Sequence, residues 1–357
     1  AMLPESVLKQ IQSEMLDFHG CGWSILEASH RGPQVTGVMT ELKSRLRQLL
    51  SIPDTYDVLF CPGGGRMQFA MVPKNLLGAG TLSTYIITGA WSKAAAKEAL
   101  RFGRVQSAFS GSGNRIPADE ELEVIPETSY CAYCDNETIH GIEFERVPVL
   151  KDAEAVPLVA DMTSNFLTRP VDVNKFGLFY ASAQKNLGVA GLAVIVLRRD
   201  LLGLAGTEVP TLLNYSVYSR TDSVPNTPPV FQLYVANLMA QWIEAHGGVA
   251  VMDEYARARA KIVYDAIDAM PEMYVSHVER ESRSRVNAVF RLKDEALTTL
   301  FVKEAAEAGL ANLAGHRAVG GIRASMYNAM PIEGVQKLAD FMKTFAHRHG
   351  RTQSAVN

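Results

Sequence analysis

The sequence predicts an α/β protein with a mostly parallel sheet and a smaller second domain, on three observations. Strand, glycine turn and helix alternate along the first part, the later strands are apolar almost throughout, and the style of the chain changes near Tyr255.

Apolar residues at helical spacing mark residues 4–18 and 35–50 as amphipathic helices, the first with Pro4 near its start. Residues 57–61 read as a short apolar strand, Gly63-Gly64-Gly65 as a sharp turn, and residues 66–77 as a helix kinked near Pro73. A strand at 84–88 leads to a helix at 91–102, with Gly103 expected as its C-terminal cap. The polar, Gly/Ser-rich stretch 107–119 reads as a surface loop, and 130–134 as a buried strand. Strands at 157–162, 178–182 and 191–197 follow, apolar as expected when both faces of a parallel sheet are covered. A loop with Asn226-Thr227-Pro228-Pro229 precedes a helix at 230–246, ended by Gly247-Gly248. Beyond Tyr255 a long helix, a strand at 286–292, a helix at 295–308 capped by Gly309, a strand near 321–326 and a last helix suggest a small α+β domain. The expected division is 1–255 and 256–357, with the N-terminal segment able to pack against the second domain.

Composition narrows the function classes. With 357 residues the chain suits about two domains, and 47% hydrophobic with 20% charged residues fits a globular protein rather than a disordered one. The net charge of −3 gives no electrostatic case for nucleic acid or an anionic membrane surface. Strictly apolar runs such as 192–197 fall far short of the ~20 residues of a membrane helix. No basic segment followed by an apolar one opens the sequence, so a cytoplasmic location is the expectation. Cys21, Cys61, Cys131 and Cys134 are too few for a disulfide framework. Cys131 and Cys134 form a C-x-x-C without a second ligand pair, so no metal is expected.

Several local features carry chemistry, and each has a plainer reading. Cys61-Pro62-Gly63-Gly64-Gly65-Arg66 sits between a strand and a helix, where outward N–H groups and the helix dipole favour phosphate; a tight turn alone would look the same. Lys185, in Ala183-Gln184-Lys185-Asn186 between two buried strands, is placed where a neutral amine could form a Schiff base, or where a lysine simply snorkels from a strand end. Asp161 ends an apolar strand, either in a ligand crevice or as a cap. His30-Arg31, His316-Arg317 and Arg323 are either solvated surface or convergent receptors for carboxylate and phosphate.

Together a phosphate cradle, an amine nucleophile, an acid for a ring nitrogen and anion receptors specify pyridoxal-phosphate (PLP) chemistry. The segments His30-Arg31-Gly32, Gly63-Gly64-Gly65-Arg66, Tyr133-Cys134-Asp135-Asn136-Glu137-Thr138-Ile139-His140-Gly141 and Ser164-Asn165-Phe166-Leu167 resemble the phosphoserine aminotransferase family, as do Ala183-Gln184-Lys185-Asn186 and Asn226-Thr227-Pro228-Pro229. So does the stretch from Gly315-His316-Arg317 to Tyr327-Asn328-Ala329-Met330-Pro331, and the match runs in order along nearly the whole chain.

The resemblance implies a class-V, fold-type-I PLP aminotransferase and a homodimer with composite active sites. Lys185 would hold the cofactor and later carry a proton between the amino-acid α-carbon and the cofactor. Asp161 would keep the ring nitrogen protonated. Trp91 would lie on the ring, although a core tryptophan is a competing reading. Gly65, Arg66 and Gln184 would bind the cofactor phosphate from one subunit, Asn226 and Thr227 from the other. Thr138 would bond near the phenolic oxygen. His30, Arg31, His316, Arg317 and Arg323 would bind substrate, while His140 and Arg169 would be structural.

The implied reaction moves an amino group from L-glutamate to 3-phosphohydroxypyruvate, giving O-phospho-L-serine, with a related four-carbon substrate of pyridoxine biosynthesis as an extension. Two departures stand out: the family carries a few residues ending in Gly-Pro ahead of Ala1-Met2-Leu3-Pro4, so the chain is expected to begin inside that motif, and 107–119 fits the family pattern poorly. The alternatives are an aminotransferase for an unphosphorylated keto acid, as in alanine–glyoxylate exchange, and a PLP- or phosphate-binding protein without turnover.

Overall fold

The computed structural model describes residues 1–78 and 81–350. The last residues of the expected second domain, 351–357, lie outside the described residues.

Helix α1 (Glu5–Glu14) starts behind Pro4, whose fixed φ suits a helix entry. It stops short of residue 18, because Phe18–Gly20 turn separately with His19 at a φ of 51°. In α2 (Pro33–Leu50), Val35, Val38, Met39, Leu42, Leu46 and Leu50 form one buried stripe at helical spacing. The alternation then appears as expected: β1 (Tyr56–Gly63), α3 (Gly65–Leu76), β2 (Leu82–Ile87), α4 (Ala90–Ala99) and β3 (Arg104–Ser110).

Two local expectations need correction here. Helix α4 ends at Ala99, and Gly103 does not adopt the left-handed conformation of a cap. A Cβ there would lie 2.7 Å from the Thr81 carbonyl oxygen, so glycine serves the close approach of two backbones. The stretch 107–119 is not all loop: Ser107–Ser110 belong to β3, an edge strand parallel to β2 with a register shift beside Tyr85. Its half-exposed, polar side chains conceal it, as suits a sheet edge.

The chain continues through β4 (Cys131–Cys134), the short pair β5 (Asn136–Glu137) and β6 (Ile142–Glu143), then β7 (Leu158–Asp161), β8 (Leu178–Ser182) and β9 (Gly191–Arg198). The large sheet has seven strands in the order β1-β9-β8-β7-β4-β2-β3. Only β9 runs against its neighbours, so the sheet is mixed and mostly parallel. After α5 (Tyr215–Arg220), helix α6 (Val230–Ala245) packs with α2 on one face of this sheet, while α3 and α4 pack on the other. Both faces are therefore dry, which explains the apolar strands.

Helix α7 (Gly248–Asp268) leads to β10 (Tyr274–Val275), β11 (Asn287–Leu292), α8 (Thr298–Glu307), β12 (Ile322–Ser325) and α9 (Ile332–His349). The last three strands form an antiparallel sheet with its own core, in which Tyr274, Phe290, Phe301 and Phe345 meet edge to face. Gly309 ends α8 with a φ of 82°, as expected of a left-handed cap. Among the described residues, no helix is long and apolar enough to cross a membrane.

Candidate active site

The parallel strands of the large sheet end on one side of the molecule, and a cleft opens there with about 250 Å³ of free volume. This is where an open α/β sheet binds ligands. Gly64, Gly65 and Arg66 line it from the start of α3, Trp91 from the start of α4, and Thr138 from the loop after β5. Asp161 closes β7, and Gln184 with Lys185 follow β8. Sequence reasoning therefore selected residues that meet in space although they lie far apart in the chain.

The start of α3 has the chemistry to receive an anion. No side chain caps it, so its first N–H groups have no helical acceptor and face the cleft with the positive end of the helix dipole. Close packing requires the glycines: a Cβ on Gly64 would lie 3.0 Å from Ser182 Oγ, and one on Gly65 would lie 2.9 Å from Thr163 Oγ1. The hydroxyls of Ser182 and Thr163 line the same wall.

Asp161 is half-buried at the end of β7, facing the cleft. Burial pushes its carboxyl up from the ordinary value; hydrogen bonds from Thr163, one a backbone N–H at 2.9 Å, and from Tyr180, with the charge of Lys185, oppose that shift. A cationic N–H set against this carboxylate would favour its charged form, as a pyridinium does.

Trp91 is fixed from below by a group that sequence reasoning did not identify as functional. The buried Glu137 carboxylate accepts from the backbone N–H of Trp91 at 2.9 Å and of Ser92 at 2.8 Å, and from Ser92 Oγ at 2.6 Å. It thereby caps α4, and it needs these donors because burial pushes its carboxyl up. Lys185 Nζ donates to Tyr327 Oη at 2.8 Å, bringing a residue from beyond β12 to the cleft.

Several polar residues lock the frame around the cleft. Arg169 Nη2 donates to both carboxylate oxygens of Asp135, at 3.0 and 2.8 Å. Burial alone would push the Glu143 carboxyl up, but Arg285 outweighs it and holds it down, with contacts of 2.7 and 3.2 Å. Asn165 Nδ2 donates to Glu143 at 3.1 Å and also to Asp135, joining the two pairs. Removing one member of such a pair leaves an uncompensated buried charge.

The remaining candidates do not line this chain's cleft. Asn226 and Thr227 are exposed on the loop before α6. Arg31 and Arg317 are exposed, and His30, His316 and Arg323 half-buried. His316 lies close enough to His140 to lower its proton affinity, after burial and His277. Sequence reasoning also missed Asn136, Thr163, Ser164 and Ser182 as lining residues. The signal was present for two of them, since Asn136 and Ser164 stand inside family-like segments. Cys131 and Cys134 are buried in β4, and burial pushes the Cys131 thiol up to about 12.

Residues 1–338 match the family model of class-V aminotransferases. The chain is 46% identical to the phosphoserine aminotransferase of Acidithiobacillus ferrooxidans over 98% of its own length and 97% of the relative's. Identity and coverage are the same for the phosphoserine aminotransferase of Chromobacterium violaceum. Among solved structures, phosphoserine aminotransferase from Bacillus circulans subsp. alkalophilus superposes with a TM-score of 0.95 at 41% identity, covering 98% of this chain and 97% of that one. A PLP-bound phosphoserine aminotransferase from Trichomonas vaginalis superposes with a TM-score of 0.91 at 38% identity, covering 96% and 97%. The fold is thus fold-type I, and the chain belongs to the class-V aminotransferases and, within them, to the phosphoserine aminotransferase family.

Proposed function

We infer that this protein is a PLP-dependent aminotransferase moving an amino group from L-glutamate to 3-phosphohydroxypyruvate. The observation that carries the reading is one cleft holding Lys185, Asp161 and the uncapped start of α3. These residues fit the cofactor: an amine, a carboxylate for a ring N–H, and N–H donors for a dianionic phosphate. When bound, the cofactor supplies a sink for the electrons left as the substrate α-carbon loses its proton.

The chain's residues divide the remaining work. Lys185 holds the cofactor through its ε-amine and, once freed, carries the proton to and from the α-carbon. Asp161 keeps the ring nitrogen protonated, and Trp91 covers one face of the ring. Gly65, Arg66 and Gln184 bind the cofactor phosphate, and Thr138 bonds near the phenolic oxygen. Asn226 and Thr227 complete the phosphate site of a partner subunit, a reading supported by their exposure away from their own cleft. The reading includes a cytoplasmic location, and domains 1–255 and 256–357; that boundary falls inside α7, beyond which the helix packs on the small sheet.

The test is optical. Purified holoprotein should be yellow, bleach with glutamate alone and recover its colour with 3-phosphohydroxypyruvate. Colour that responds to neither compound would leave a binding protein without turnover.

Substrate choice follows from charge. Phosphohydroxypyruvate carries a carboxylate and a phosphate, and His30, Arg31, His316, Arg317 and Arg323 are the proposed receptors. Removing one charge-assisted partner in a desolvated pocket costs ~2–5 kcal/mol of transition-state binding. Arg317→Ala should therefore raise KM for the phosphorylated acceptor far more than for pyruvate or glyoxylate. Equal losses on both kinds of acceptor would remove Arg317 from phosphate recognition.

Shared sites are tested by mixing two inactive proteins, Lys185→Ala and the double variant Asn226→Asp, Thr227→Asp. The second sets negative charge against a dianionic phosphate. After joint refolding, half the dimers are mixed, and each mixed dimer has one site with a wild-type lysine and a wild-type partner loop. Activity should recover to about a quarter of wild type. If the loop serves its own subunit, every site keeps a lesion and the mixture stays inactive.

A further inference from the structure

We propose that Tyr327, held by Asn287, is the positioning residue that fixes the ε-amine of Lys185 for proton transfer. The proposal rests on the reading of Lys185 as the proton carrier and adds to it the group that aims the amine.

Lys185 Nζ donates to Tyr327 Oη at 2.8 Å, and Nζ stands 5.1 Å from the centre of the Tyr327 ring. The phenol is itself packed in, being only 7% exposed and bonded at its oxygen. Asn287 Nδ2 donates to Tyr327 Oη at 3.2 Å and to Ser325 Oγ at 3.0 Å. Its orientation is set from the other side, because Asn136 Nδ2 donates to Asn287 Oδ1 at 2.8 Å and to Ser164 Oγ at 2.7 Å. Asn287 must therefore present its N–H groups to Tyr327, which receives one of them and has a second acceptor site for Lys185.

That direction suits the chemistry. An amine anchored through an N–H keeps its lone pair free, and the lone pair must meet the α-carbon proton. A lysine otherwise spreads over many rotamers. One bond to a rigid phenol confines it.

The anchor reaches Lys185 from the other sheet. Asn287 opens β11 and Tyr327 follows β12, whereas Lys185, Asn136 and Ser164 belong to the large-sheet side. Asn328, next to the phenol, bonds through its N–H to Asn186 Oδ1 at 3.0 Å, so the neighbours of both partners are joined as well. Its Nδ2 donates to the Leu167 carbonyl at 2.9 Å. Arg285 and Glu143 close the same seam between β6 and the start of β11.

The experiment uses Tyr327→Phe, which keeps the ring and removes only the hydroxyl. Misplacing a catalytic group by about 1 Å costs on the order of 100-fold, so kcat should fall by about 10- to 100-fold with KM for both substrates nearly unchanged. The kinetic isotope effect with α-deuterated glutamate should rise, because proton transfer becomes more limiting. Cofactor-stripped Tyr327→Phe protein mixed with pyridoxal phosphate should also develop its visible band more slowly than wild type, a readout independent of turnover. Asn287→Ala, which leaves the phenol but loosens it, should show the same pattern more weakly, and carries the comparison if Tyr327→Phe does not fold. Wild-type uptake rate, kcat and isotope effect in the variants would overturn the proposal, as would a loss confined to KM. Wild-type protein that takes up the cofactor but transfers no amino group would instead overturn the proposed reaction, while the uptake rates still decide on Tyr327.

Discussion

Lys185→Ala protein should be folded, without the visible absorption band, and slower than wild type by about 10⁴-fold or more, since it loses both the covalent anchor and the proton carrier. Position makes this effect large and local. Lys185 follows β8 at the mouth of the cleft, with its amine bonded to Tyr327 rather than packed in the core. Truncation there removes no buried apolar stripe, so the cooperative unfolding transition should persist. Cofactor can still be held by the start of α3, so some non-covalent binding should remain. An absorption spectrum and a single-turnover rate with glutamate check the expectation, and a wild-type band and rate in the variant would remove Lys185 from its role.

Asp161→Asn should bind the cofactor yet lose on the order of 10³-fold in rate, because a neutral amide cannot hold the ring nitrogen protonated. The carboxyl stands in a poorly solvated place where burial raises its proton affinity. A ring N–H cation there stabilises the carboxylate, and the carboxylate in turn stabilises the cation, so the pair is mutually dependent. Asp161→Glu keeps the charge and shifts it by one methylene, so it should do less harm. If the Asp161→Asn protein turns over like wild type, Asp161 serves only to end β7, where it accepts from the Thr163 N–H.

Much of the frame was legible because local chemistry and global fold agree. The apolar runs of β7, β8 and β9 appear in sequence since both faces of the sheet are covered. Strand direction was not legible: β9 lies antiparallel to β1 and β8, yet its residues are as apolar as those of a parallel strand. The edge strand β3 was hidden by polar, half-exposed side chains and a register shift. Gly103 looked like a cap, and only the nearby Thr81 carbonyl reveals its actual constraint.

The site divides in the same way. Polar residues at or shortly beyond strand ends, such as Asp161 and Lys185, announce themselves by interrupting apolar runs. Glu137 and Tyr327 do not, because their importance comes from partners that are distant in sequence, at α4 and at Lys185. The proposed Arg and His receptors stand inside family-like segments but show no other signal than charge, and in a single chain they stay outside the cleft.

The central claim is amino transfer from glutamate to a phosphorylated keto acid, and following the nitrogen tests it most directly. Holoprotein given ¹⁵N-labelled L-glutamate and 3-phosphohydroxypyruvate should yield O-phospho-L-serine carrying the label, with an equal amount of 2-oxoglutarate. Label that stays in glutamate, or that passes to glyoxylate or pyruvate as readily as to the phosphorylated acceptor, would contradict it.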